Sequence, residues 1–333
     1  MKGVALIGYG YWGKNLSRVI SSTPNCRLQA IIDLNKNSLT YAQDAFPEVL
    51  CSADISSILY SSQVNVVVVS TPVSTHYEIV KQCLLNGKHV LCEKVLSTDV
   101  EQIKELFELA KSQDLLLEVG FTFLHNAIID YINKAINDNT LGALSYLTFK
   151  RTGLGPVRDD VDAINDLAAH DVSILISWFG RPDWVMANAV DLMKNAKADI
   201  AFIQVGYLNG LIAHIQVSWA TPLKQRVIEI VGSNGMMIFD DVTASDKLKH
   251  IKTGMDYQAN VKDFASFQLS VKSGDVVIPH INYPEPLRVE FDSFIDKIDK
   301  NTNSDDLLYI STATAEVLQA IQNSLHNQKK NYL

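Results

Sequence analysis

Cysteine is scarce in this chain. Four occur among 333 residues, Cys26, Cys51, Cys83 and Cys92, with neither CxxC spacing nor histidine pairs beside them. Such usage suits a reduced cytoplasm and not a zinc site. His89, His125, His214, His250, His280 and His326 show no metal spacing either, so no metal is expected. Extended lysine and arginine runs are missing. With a formal net charge of −8 the chain offers no phosphate-neutralising face, which argues against nucleic acid as a partner. Lys329 and Lys330 read as a solvated helix end. Long apolar runs are missing too: stretches such as Val66 to Val69 are far too short to span a bilayer. The first residues enter a strand at once, so neither a membrane segment nor a signal peptide is expected. There is no internal repeat, no low-complexity segment, no nucleophile elbow and no lysine-serine phosphate loop.

What is present begins with Gly8-Tyr9-Gly10-Tyr11-Trp12-Gly13, between the apolar run Val4-Ala5-Leu6-Ile7 and a helical pattern from Lys14. This spacing reads as a dinucleotide-binding loop. The first glycine permits a sharp turn, the second keeps side chains away from a pyrophosphate, and the third lets the helix pack closely on the sheet. The helix start would turn unpaired N–H groups toward the phosphates. Glycines so spaced also occur in ordinary turns. Here, however, a strand precedes the loop, a helix follows it, and the strand Leu28-Gln29-Ala30-Ile31-Ile32 ends in Asp33, twenty residues after Gly13, where a ribose-binding carboxylate belongs.

An apolar fraction of 47% with 20% charged residues is that of a soluble globular protein, and 333 residues exceed the usual single core, so two domains are expected. Strand and helix alternate to about Gly120: a helix through Leu39 to Ala45, a buried β-branched run Val64 to Val69 ending at Ser70-Thr71-Pro72, a helix from about Thr75-His76 to Gly87, the strand His89 to Cys92 closed by Glu93-Lys94, a helix with Thr98 and Glu101 as a capping box, and the strand Leu115 to Val119. That alternation predicts a doubly wound parallel sheet, with Thr71-Pro72 and Glu93-Lys94 at the strand ends where ligands bind. Beyond it, strand-like runs at 144–150, 185–192, 201–208, 211–219, 227–231 and 236–239, several joined by short turns, predict a large, open, mostly antiparallel sheet. A helix from about Asp166 to Phe179 interrupts it, and helices over 286–298 and from Asp305 to about His326 close the chain. The expected architecture is α/β, with a dinucleotide-binding domain over 1–121 and an α+β substrate and oligomerisation domain over 122–333.

Several residues could carry chemistry. Lys94, just past a strand end, could orient a substrate hydroxyl, or could be a surface lysine paired with Glu93. Asp166 and His170 are four apart, so on a helix they share one face and the carboxylate can orient the imidazole. Such a histidine could take the proton of an alcohol while hydride leaves its carbon. Asp166 could equally be a helix cap, and His170 a core histidine beside Leu167, Ile174, Leu175 and Trp178. His76 is a helix-start residue or a cofactor contact. Arg158 could bind a substrate phosphate or carboxylate, or pair with Asp159 or Asp160.

Taken together, Gly8 to Asn15, Ser70-Thr71-Pro72 with His76, Glu93-Lys94, and Asp166-Leu167-Ala168-Ala169-His170-Asp171 resemble the Gfo/Idh/MocA oxidoreductase family. The likeness covers nearly the whole chain, including Gly120-Phe121-Thr122-Phe123-Leu124, Ala213 to Trp219 and Val231 to Met236. It implies a Rossmann domain, NAD chemistry, Lys94 as the active-site lysine, Glu93 as its cofactor-side neighbour, and Asp166 with His170 as a carboxylate–imidazole pair. Gly8, Gly10, Tyr11, Trp12, Gly13, Asp33, Ser70, Thr71, Pro72, His76, Glu93 and Lys94 are then the expected cofactor contacts. Lys94, Arg158, Asp166 and His170 are the expected substrate contacts. Two departures stand out: Val95 where the family usually has proline, and Phe121 where relatives often have histidine.

The Tyr-Trp loop, Val157-Arg158 and the Val-Ser-Trp strand look most like a nucleotide-sugar subgroup whose characterised members oxidise C3 of UDP-N-acetylglucosamine or its uronate. The resemblance therefore implies an NAD-dependent sugar dehydrogenase. Asp33 would repel a 2′-phosphate and favours NAD, while Lys36 leaves NADP open. Alternatives within the chemistry are a ketosugar reductase or a free sugar or inositol dehydrogenase, and from another class a non-catalytic NAD-binding regulator. A homo-oligomer, dimer or tetramer, built through the second-domain sheet is expected.

Overall fold

The computed structural model describes residues 1–155, 161–194, 197–256, 271–302 and 305–333. Its chain forms two units: 1–125 with 284–315, and 126–283 with 316–333. The sequence reading placed 284–315 with the second domain, but this segment packs with the first unit, and 122–125 stay with it too.

In the first unit, strands and helices alternate as β1 (Lys2–Ile7), α1 (Tyr11–Ser22), β2 (Cys26–Ile32), α2 (Lys36–Ala45), β3 (Leu50–Ser52), α3 (Ser56–Leu59), β4 (Val66–Val69), α4 (Val73–Leu85), β5 (His89–Glu93), α5 (Val100–Ser112) and β6 (Leu117–Gly120). The six strands are parallel, in the order β3-β2-β1-β4-β5-β6. Strand order therefore reverses between β1 and β4, which opens the crevice where such sheets bind ligands. All four valines of β4 are buried, as a strand covered on both faces requires. The α5 cap is Asp99, whose carboxylate accepts the Glu101 N–H, and not the expected Thr98. Ser97 accepts the Asp99 N–H one step earlier, which moves the helix start by one residue.

The second unit begins with α6 (Ala127–Asn137) and β7 (Leu144–Leu154), then a π-helical turn Ile164–Ala168 that runs into α7 (Ala169–Phe179). There follow β8 (Trp184–Val190), β9 (Ile200–Gly206), β10 (Ile212–Ser218), β11 (Ala220–Gly232), β12 (Gly235–Asp240), β13 (Leu248–Ile251), the short pair β14 (Gly254–Met255) and β15 (Val271–Lys272), and β16 (Val276–Val277). The chain ends with α8 (Pro286–Lys300), α9 (Asp305–Asn327) and β17 (Asn331–Tyr332). Among the described residues the large sheet has nine strands, β16-β13-β12-β11-β7-β10-β9-β8-β17. It is mixed, because β7 and β10 pair in parallel within otherwise antiparallel pairing. One face is core, with Leu147, Phe149, Ile203, Ile215, Ile228 and Phe239 buried on alternate positions. Lys330, expected in a solvated helix end, lies 3.6 Å from the centre of the Trp184 ring, next to the β17–β8 pairing.

Helix α8 belongs to the core of the first unit through Leu287, Phe291, Phe294 and Ile295, which cluster with Val4, Leu16 and Ile20. Full burial of each phenylalanine is worth about 1.5–3 kcal/mol, enough to hold the helix there.

Candidate active site

In the first unit the glycine loop lies between the ends of β1 and β4. Gly8 has φ +95°, and a Cβ there would meet the Ser70 carbonyl oxygen at 2.5 Å. A Cβ on Gly13 would sit 2.1 Å from the Gly8 oxygen. Gly10 is different, because a Cβ there would touch nothing within 4 Å. It stands before the first turn of α1, which has neither an acidic residue nor a side-chain cap. The bare surface and the uncompensated positive end of the helix fit the pyrophosphate of a dinucleotide.

The residues around this cradle are held by one another. Ser70 Oγ donates to the Gly8 oxygen at 2.9 Å. The Asp33 carboxylate accepts the Tyr9 N–H at 2.6 Å and the Asn35 N–H at 2.7 Å, so its orientation is fixed while further lone pairs remain for ribose hydroxyls. Trp12 Nε1 donates to Glu93 and thereby ties α1 to the end of β5. Tyr11 is 86% exposed beside Gly10. Pro72 opens α4, with Thr71 reached by the Thr75 hydroxyl at 2.8 Å.

His76, read as a helix-start residue or a cofactor contact, lies in the first turn of α4. It is fully buried, with Nδ1 2.8 Å from the Val95 oxygen and Nε2 2.9 Å from the Thr71 oxygen. It links the loop after β4 to the loop after β5 from beneath, and is a brace of the cofactor edge. A direct contact with the cofactor is not its geometry. Lys94 is half-buried at the end of β5, and its peptide bond to Val95 is cis. Val95 is itself buried, with its carbonyl held by His76.

Behind Glu93 lies a buried ionisable cluster that the sequence did not reveal. Glu118 pairs with Lys297, and Thr122 Oγ1 donates to Glu290 at 3.0 Å. Burial, then the charge of Glu93, raises the Glu290 carboxyl well above its usual range. His125 goes the other way: burial first, then Lys297, pushes it down to about 4. Between about pH 6.5 and 4 the unfolded chain therefore takes up a proton at His125 that the folded chain refuses, so stability is full above that window and falls as pH drops through it. Glu290 opposes this, because its raised value costs stability as pH rises above the ordinary carboxylate range. Comparing His125→Gln with the native chain isolates the first effect. In urea unfolding at pH 7 and at pH 4.5, the variant should lose less stability on acidification, by up to roughly 3 kcal/mol. Parallel losses would refute the assignment.

In the second unit Asp166 lies in the π-helical turn and His170 in the first turn of α7. Asp166 is not the helix cap. Asp162 takes that place, accepting from the Asn165 N–H at 2.8 Å and its side-chain amide at 2.9 Å. The Asp166 carboxylate instead accepts from Trp219 Nε1 at 3.3 Å. Next to His170, buried Asp171 receives the Arg151 guanidinium through Nη2 at 2.6 Å and Nε at 3.2 Å. Burial raises the Asp171 carboxyl while Arg151 pulls it back. Arg226 on β11 completes this group. Arg158 lies outside the described residues.

Arg151 and Arg226 were missed by the sequence reading, yet a signal existed. Each occupies an inward position of an alternating strand, Leu147-Phe149-Arg151 and Arg226-Ile228-Ile230, and a charge in that register needs a buried partner or a function.

Residues 2–121 match the model of the oxidoreductase family with an NAD-binding Rossmann fold, and residues 131–238 match the GFO/IDH/MocA C-terminal domain. Two uncharacterised oxidoreductases of Schizosaccharomyces pombe are 32% and 44% identical over 155 and 156 residues, each alignment covering 44% of this chain and 42% of the relative. The chain thus spans about two fifths of the length of these relatives. A UDP-N-acetylglucosamine 3-dehydrogenase of Acidithiobacillus ferrooxidans is 28% identical over 217 residues, covering 64% of this chain and 66% of that protein. Among solved structures, GenD2 from gentamicin A biosynthesis in complex with NAD shares the fold, with a TM-score of 0.82 at 22% identity over 100% of this chain and 96% of that one. With both of its domains matched, the chain belongs to the Gfo/Idh/MocA oxidoreductase family and carries that family's NAD-binding Rossmann fold.

Proposed function

We propose that the chain is an NAD-dependent sugar dehydrogenase that oxidises a ring hydroxyl, at C3, of a nucleotide-activated hexose such as UDP-N-acetylglucosamine or its uronate. The observation that carries this reading is the bare Gly10 surface with the oriented Asp33 carboxylate beside it, together with a lysine at the end of β5. The sugar assignment is supported by the Acidithiobacillus ferrooxidans relative. Asp33 favours NAD, since its charge would repel a 2′-phosphate.

When bound, NAD supplies the acceptor for the hydride of the carbinol carbon. His170 takes the hydroxyl proton as general base. Asp166, held by Trp219, orients the imidazole and steadies its charge. Lys94 donates a hydrogen bond to the reacting oxygen and lowers the cost of its negative charge. Gly8, Gly10, Tyr11, Trp12 and Gly13 hold the dinucleotide with Ser70, Thr71, Pro72 and Glu93, while His76 keeps the two strand-end loops in place. The reading is tested by absorbance of reduced nicotinamide on mixing the protein and NAD with UDP-N-acetylglucosamine, its uronate or myo-inositol. A rise with a nucleotide sugar is expected; a rise with myo-inositol alone would replace the sugar nucleotide with a cyclitol, and silence with all three, with NAD bound, would remove the dehydrogenase.

The same reading includes a homo-oligomer through the outer face of the large sheet. That face carries Tyr146, Met186, Phe202 and Ile212, between 38% and 47% exposed, with His214 stacked on Phe202. Tyr146 and Ile212 are directly paired, and Met186 and Phe202 stand beside Gln204, Asn188 and Gln216, so the face is an amphipathic surface whose apolar groups pairing would remove from water. Light scattering should give an oligomer for the native chain and a monomer for Phe202→Glu; a monomeric native chain would exclude the interface.

A further inference from the structure

We propose that Arg226 recognises an oxyanion of the substrate, a carboxylate or a phosphate, and so sets specificity for a charged sugar. This rests on the reading of the chain as a sugar dehydrogenase. Arg226 on β11 stands opposite Arg151 on β7, and directly opposed residues of antiparallel strands point to the same face. That face is the buried one, with Phe149 and Leu147 on one strand and Ile228 and Ile230 on the other. The two arginines nevertheless end differently. Arg151 forks onto Asp171 through two nitrogens. Among the described residues, none accepts a hydrogen bond from the Arg226 guanidinium.

The neighbouring carboxylates already have other donors. Asp171 has Arg151, Asp166 has Trp219 Nε1, and Asp241 has the Tyr283 hydroxyl at 2.9 Å and Lys247 at 3.3 Å. Each still attracts Arg226 through space, which offsets the repulsion from Arg151 and keeps the cation in place. Arg151, fully buried, spends its fork on Asp171, whereas the half-buried Arg226 guanidinium gives up part of its hydration without gaining an acceptor among the described residues in return. The guanidinium is left charged, partly desolvated and unspent, electrostatically close to the proposed catalytic Asp166. The ligand that answers this is planar or tetrahedral, negatively charged and rich in oxygen acceptors, which an arginine fork binds through two parallel hydrogen bonds.

The test is calorimetric titration of the NADH-saturated protein with glucuronate, glucose 1-phosphate and glucose. At least one of the two anions should bind about tenfold or more tightly than glucose, the gain of one charge-assisted hydrogen-bonded pair. Arg226→Gln should erase that advantage and leave glucose unchanged, and Arg226→Lys should keep part of it. An advantage for glucuronate alone assigns the carboxylate, and for glucose 1-phosphate alone the phosphate. If the glutamine variant does not fold, the lysine variant carries the comparison, with a reduced preference expected and a full one contrary. A native chain with no preference for either anion, or a glutamine variant that retains it, would overturn the proposal. Failure to bind NADH at all would instead strike the dehydrogenase reading.

Discussion

Gly13→Ala is expected to abolish dinucleotide binding and to destabilise the first unit. The new Cβ would lie 2.1 Å from the Gly8 carbonyl oxygen, which is backbone and cannot swing aside. That oxygen also accepts from Ser70, so moving it would disturb the end of β4 as well. The helix must retreat instead, and α1 is anchored by buried Leu16, Val19 and Ile20. Forcing such an overpacked contact costs about 1–3 kcal/mol. Gly10→Ala supplies the contrast. Nothing lies within 4 Å of its Cβ, so stability should change by less than about 1 kcal/mol, while NADH affinity falls because the added methyl occupies the surface offered to the pyrophosphate. Thermal unfolding and NADH fluorescence titration read the two quantities separately. Unchanged NADH affinity in Gly10→Ala would mean the cradle is an ordinary turn.

His170→Ala should lower kcat by about 10²- to 10⁴-fold with NADH affinity unchanged, the range expected when a positioned general base is lost. Lys94→Ala should do the same through loss of the donor to the reacting oxygen. Asp166→Asn should cost less, because the amide still accepts from Trp219 Nε1 while losing the charge that steadies the imidazolium. The order of effects matters. Should Asp166→Asn be as severe as His170→Ala, the carboxylate would be the base itself; full activity in His170→Ala would remove the histidine from the mechanism. Stability of each variant at pH 7 serves as the control, since α7 also carries the buried Asp171–Arg151 pair.

Where the candidate residues lie on the fold was largely legible because that placement is local. The glycine spacing, Asp33 at the end of β2 and Lys94 at the end of β5 depend on strand-end geometry that period and punctuation report. His76 was legible only as a residue of interest. Its burial under two loops depends on where Val95 and Thr71 lie, nineteen residues on and five back, and no helical pattern encodes that. Asp166 and His170 are four apart in sequence, but the turn between them is π-helical, so an ideal α-helical wheel misplaces the carboxylate.

The sequence by itself determined the alternation of the first unit, the inward and outward faces of the long strands and the glycine cradle, since each follows from side-chain period and from sterics confined to a few residues. Tertiary structure alone decided the rest. The two-residue strand β17 is too short to show a period, and the parallel β7–β10 pairing joins strands far apart in the chain. The apolar face of α8 announced that something would cover it, but only the fold chose the first unit's sheet. The two inward arginines likewise carried a charge whose meaning depended on distant partners: Arg151 met Asp171, and Arg226 kept its donors. Contacts that close long loops are set by complementary shape and charge across the chain, and no local pattern specifies them.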